Sequence, residues 1–107
     1  MPDEETPDGA AVFPLIPPEL GVHPFTLAVL HAYVFLEGTD ETLLNGDVAE
    51  EAMEYLATYI QRLEGPDLAR ARQDFAVLAS YAKAEKWPKS QIRFLQEFLA
   101  ENGIPSP

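Results

Sequence analysis

The 107-residue sequence predicts one all-α domain, a compact four-helix bundle or an orthogonal helical array, led by an extended proline-rich arm. Three observations carry that expectation. Four segments place apolar residues at three-four spacing or are apolar almost all round, as helices with buried faces are. Proline or glycine stands between consecutive segments. No alternating apolar and polar run bounded by turn residues appears, so nothing argues for a strand. A chain of this length encloses one core, and two domains would leave neither enough apolar material.

Residues 1–22 form the arm. Six of the ten prolines fall in the first 24 residues, and Pro14, Pro17 and Pro18 remove the backbone donors a helix needs. Residues 1–10 are acidic and poor in apolar side chains, which predicts disorder. Val12, Phe13, Leu15, Ile16, Leu20 and Val22 are too apolar to be left in water without cost, so residues 12–22 are expected to pack on the helices or on a partner.

The helical domain spans residues 23–103. Its first helix starts near His23 or Pro24, since proline in the first turn loses only a donor that would be unpaired, and ends at Glu37-Gly38. Phe25 through Leu36 is apolar nearly all round, which requires cover on most sides. Thr39 to Leu44 allows one short turn, and Asn45-Gly46 is a break. Asp47, with Glu50 three residues on, resembles a capping box opening the second helix. There the stripe Ala49, Ala52, Met53, Leu56, Tyr59, Ile60 and Leu63 marks one buried face, and Gly65-Pro66 stops it. Pro66 opens the third helix, with Leu68, Ala71, Phe75, Leu78, Ala79 and Ala82 inward. Pro88 opens the fourth, with Ile92, Leu95, Phe98 and Leu99 inward and a stop at Asn102-Gly103. Residues 104–107 form a tail that is expected to fray.

The formal charge is −11, and it is divided unevenly: every Lys and Arg lies at or beyond Arg62, whereas twelve of the eighteen Asp and Glu precede it. Residues 1–61 therefore carry −12 and the remainder +1. That field repels nucleic-acid backbones and anionic lipids and favours a basic partner or a basic patch on a second copy, although solubility alone accounts for an acidic surface. Arg70, Arg72, Lys83, Lys86, Lys89 and Arg93 are interleaved with Asp74, Glu85 and Glu97, so no basic stripe emerges and no nucleic-acid role is expected. The longest apolar stretch is shorter than the roughly 20 residues a bilayer span needs, so no membrane role is expected either. The acidic N-terminus lacks a signal-peptide pattern, and the absence of cysteine suits a reducing compartment. Both point to the cytoplasm.

No catalytic, cofactor or metal site is expected. His23 and His31 stand eight residues apart, about 12 Å along a helix, too far for one ion. Neither has an acidic residue three positions before it, as the Glu-x-x-His pair of a di-iron bundle site requires, and Glu50, Glu51 and Glu54 read as a solvated face. Ser80 lacks the glycines of a nucleophile elbow, and the six glycines are scattered singly rather than gathered into a phosphate loop. His31 stands out because an apolar helix surrounds it, and a buried imidazole needs partners for its nitrogens. With Tyr33 and Tyr59 it defines a candidate buried polar site. Trp87, beside a proline at a helix junction, is expected to lid the core, and if exposed to be a contact hot spot.

Pro24-Phe25-Thr26-Leu27, the apolar helix through His31 and the stop at Glu37-Gly38-Thr39 resemble small helical proteins of phage tail gene clusters, which are themselves like tail-assembly chaperones. The likeness covers about 20 residues. It departs from the pattern where Ala28 and Val29 follow Leu27, since a glycine and a histidine come close after the leucine there. It carries over no functional residue.

The sequence therefore predicts a non-enzymatic protein-protein interaction or assembly adaptor whose partner is another protein or a second copy of itself. Its candidate interface is Phe13, Leu15, Ile16, Leu20 and Trp87 together with the first helix. A helical sensor or carrier with a pocket lined by His31, Tyr33, Tyr59 and Phe75, and an enzyme with an unrecognised site, are the alternatives.

Overall fold

Helix starts follow the proline and glycine positions in a computed structural model that describes residues 9–105, but the second helix stops at Ile60, short of the expected Gly65-Pro66, so Leu63 lies beyond it. The helices are α1 (Pro24–Gly38), α2 (Gly46–Ile60), α3 (Gly65–Ala84) and α4 (Lys89–Glu101), and one 3-10 turn (Pro18–Leu20) lies in the arm. No strand occurs among the described residues, so the protein is all-α. α1 packs chiefly on α2 and α3 chiefly on α4. Phe25 near the start of α1 and Tyr59 near the end of α2 line one groove, so the first pair runs antiparallel.

At the start of α1 the His23 Nδ1 accepts from the Phe25 N–H at 3.1 Å, and Pro24 sits in the first turn. The start of α2 corrects the expected Asp47 capping box. Asn45 is the cap, its Oδ1 accepting from the Val48 N–H at 3.1 Å, because the helix begins one residue before Asp47.

Two helices end in the same hydrogen-bonded stop. After α4, Gly103 adopts φ 95°, its N–H donates to the Ala100 carbonyl, and the Ile104 N–H donates to the Leu99 carbonyl at 2.9 Å. That motif normally places an apolar residue after the glycine against the helix. Ile104 is accordingly buried, which corrects the expectation of a fraying tail at that position. Any side chain at 103 would also collide with Gln61, whose Nε2 donates to the Asn102 carbonyl and ties α2 to the end of α4.

After α3 the same pair of bonds forms, Lys86 to Lys83 and Trp87 to Ala82, but the left-handed position is Lys86, at φ 59°. A lysine there bears a steric cost that glycine does not. Lys86→Gly is expected to stabilise the protein by about 1 kcal/mol, measured by urea denaturation. An unchanged or lower midpoint contradicts it.

The two helix pairs are joined by an aromatic cluster. Phe98 of α4 stacks on Phe75 of α3 at 4.9 Å, meets Tyr33 of α1 edge-on at 4.9 Å, and meets Phe94 at 5.6 Å. Leu30, Leu78 and Leu95 are fully enclosed around it. Asp74, expected to belong to a mixed charged surface, is instead buried on the inner face of α3 at 2 % exposure. Its carboxylate accepts from the Thr26 hydroxyl at 2.8 Å, the His23 N–H at 3.2 Å and the Arg70 Nε at 3.0 Å. A buried carboxylate needs such donors. Arg70 also donates to the Gly21 carbonyl, so one residue pair clamps the arm's exit and the start of α1 onto α3.

Residues 9–22 of the arm are part of the fold. The Asp40 N–H donates to the Gly9 carbonyl at 2.8 Å, and the Ala11 N–H donates to the Thr39 hydroxyl at 3.0 Å. Phe13 and Val22 join the core. The expected disorder of residues 1–10 falls largely on residues 1–8, outside those described, and it does not hold at Gly9, whose carbonyl the Asp40 N–H binds.

Candidate functional site

Of the candidate interface residues, the structure leaves Leu15 open to solvent at 83 % exposure. Phe13 is buried, edge-on to Trp87 at 5.9 Å, which corrects its placement in an interface. Ile16, Leu20 and Trp87 are half-buried and packed on the core. Trp87 also meets Tyr81 at 6.1 Å and is the expected lid. The arm is spent largely on its own domain because its apolar side chains are those that cover α1 and the α3–α4 turn.

The candidate buried polar site does not assemble. His31 and Tyr59 are exposed, because the side of α1 bearing His31 has no helix over it and Tyr59 lies at the edge of the inward face of α2. Tyr33 is half-buried in an open groove of about 200 Å³ with Glu37, Phe94, Glu101 and Asn102. Burial, then the Glu37 and Glu101 carboxylates, push its hydroxyl above the ordinary 10.0, opposed by a hydrogen bond with Asn102. The unfolded phenol ionises first, so this residue's contribution is intact below pH 10 and is lost as pH rises through the raised folded value. Tyr33→Phe is expected to lessen the fall in urea midpoint at alkaline pH, and an identical fall in both proteins contradicts that.

A second, apolar groove of about 430 Å³ lies between α1, α2 and α3, with α4 beneath. Phe25 and Val29, Leu56 and Tyr59, and Phe75 line it, with Leu99 beneath. His23, Asp67 and Arg70 supply its polar edge, and the Arg62 guanidinium lies 4.7 Å from the Tyr59 ring centre. Leu56, expected on the buried stripe of α2, is half-buried in this wall. The groove shares Tyr59 and Phe75 with the expected carrier pocket but excludes His31 and Tyr33, so those four residues form no common pocket.

Around the groove the apolar surface continues. Eight large apolar side chains stay exposed among the described residues, and six of them, Phe25, Phe35, Leu43, Val48, Tyr55 and Tyr59, lie on α1, α2 or the loop joining them. The other two, Val12 and Leu15, are on the arm. Sequence reasoning missed Val48 and Tyr55 because it sought one inward stripe on α2. A second stripe at four-three-four spacing, Val48, Ala52, Tyr55 and Tyr59, stands beside the first in the sequence and was there to be read.

No helix among the described residues is long and apolar enough to cross a membrane, and no three His, Cys, Asp or Glu side chains there converge as a metal site would require. Comparison of the chain with protein-family models, curated proteins and solved structures finds no match.

Proposed function

We propose that the protein is a non-enzymatic assembly adaptor of the cytoplasm that holds a partner protein on the apolar surface of α1 and α2. The observation that supports this is the concentration of exposed apolar side chains on that pair, with Phe25 at 77 % exposure, while α3 and α4 have no large exposed apolar residue among those described. Exposed patches of this kind mark interaction surfaces in small soluble domains. In this reading the first helix is part of the binding surface, and the arm contributes Leu15 and Val12 at the margin rather than a binding segment of its own. An adaptor of this kind accords with the resemblance of residues 24–39 to small helical proteins of phage tail gene clusters.

Phe25 is 77 % and Phe35 39 % exposed, so replacing both by Asp places charge in the surface. Affinity capture from the source cell's extract is expected to recover a partner protein with the wild type and to lose it with the double variant, circular dichroism being the same for both. Recovery of nothing, or of the same protein at the same level by both, contradicts the proposal. A second copy as the partner is seen in the solution mass.

A further inference from the structure

We infer that the outer stripe of α2 is a docking face for a basic amphipathic helix of a different protein, an inference that rests on the adaptor reading. α2 carries two apolar rows. Ala49, Met53, Leu56 and Ile60 face inward, and Val48, Ala52, Tyr55 and Tyr59 form a second row about a quarter turn away. In the second row Val48, Tyr55 and Tyr59 are each more than half exposed. Alternating four and three residue spacing is that of a seam between two helices, where each side chain inserts among four of its partner's. Nothing in the described chain covers this one.

Charge selects the occupant. Asp47, Glu51 and Glu54 border the row on the side away from the core, all exposed. Among the described residues the one ion pair is Arg70–Asp74, so these carboxylates have no cationic partner there. Residues flanking a helical seam set partner choice by charge, and here they call for Lys or Arg on the incoming helix. A second copy does not answer. Residues 1–61 contain no Lys or Arg, so pairing this face with itself sets carboxylates against carboxylates, and α3 and α4 expose no large apolar side chain to it. At the end of the row the chain supplies a single cation of its own, Arg62 over the Tyr59 ring at 4.7 Å, which illustrates the contact a partner's basic residues make with Tyr55.

The test uses three fluorescently labelled synthetic helical peptides titrated with the full-length protein. One has leucine at four-three spacing flanked by lysine. The second replaces each lysine by glutamate. The third permutes the first so that charge is kept and the seam is lost. The first is expected to bind at least tenfold more tightly than either of the others. Tyr55→Ala is expected to weaken it at least tenfold, and Glu51→Lys with Glu54→Lys to weaken it likewise while admitting the acidic peptide. All three substituted positions, 51, 54 and 55, are solvent-facing, and thermal melting verifies that the variants fold. Equal binding of the permuted peptide, indifference to the substitutions, or no binding of the first peptide overturns the inference. If a partner is nonetheless captured through Phe25 and Phe35, the adaptor reading stands and only the basic-helix assignment falls.

Discussion

Phe98→Ala is expected to lower stability by about 3–5 kcal/mol, the cost of removing a buried phenylalanine whose surroundings relax only in part. Phe98 is 2 % exposed and touches an aromatic ring from α1, another from α3 and a third on its own helix. Each aromatic pair adds about 0.5–1.5 kcal/mol beyond the area it buries, so the loss falls on both helix pairs at once. Against the 5–15 kcal/mol typical of a whole domain, this removes a large share. Urea denaturation at neutral pH measures it. A loss below about 1 kcal/mol contradicts the view that this cluster joins the two halves of the molecule.

Asp74→Ala is expected to cost about 2–4 kcal/mol. The substitution leaves the Thr26 hydroxyl and the His23 N–H without their acceptor and releases Arg70, whose guanidinium is half open to water. The partial exposure of Arg70 keeps the cost below that of breaking a wholly buried pair. Hydrogen exchange distinguishes this loss from a general one. The amides of residues 22–27 are expected to lose protection more than those of α4, because the clamp fixes the start of α1 and the arm's exit. Uniform loss of protection, or none, contradicts the clamp.

The helix boundaries were legible because they depend on local chemistry. Pro24, Pro66, Gly65 and Gly103 act on their own backbone, and the inward rows of α3 and α4 lie where three-four spacing puts them, from Ala71 to Ala82 and from Leu95 to Phe98. Asp74 was misread because an aspartate on a charged helix is ordinarily wet. Its spacing, three after Ala71 and four before Leu78, placed it on the buried row, but two of the three donors that make it tolerable there, the His23 N–H and the Thr26 hydroxyl, come from 51 and 48 positions away. Asn45, read as part of a break, caps the second helix instead of Asp47 because the helix begins at Gly46.

Surface assignments were less legible for a different reason. How much of α1 and the arm is covered depends on how helices with small and large side chains share one core. The arm's Phe13 and Val22 were drawn inward, while Phe25, Phe35 and His31 were left outside. The total excess of apolar side chains over available cover was readable from the sequence. Its address was readable in part: the first helix was named, α2 was not, and of the arm only Val12 and Leu15 remain as large exposed apolar side chains.

A photo-activated phenylalanine analogue placed at position 25, with Gln96 of α4 as the control position, reports directly on what covers α1 in the cell. The adaptor account predicts a discrete covalent adduct with one other protein from position 25 and none from position 96. Equal labelling from both positions, or no protein adduct from position 25, contradicts it.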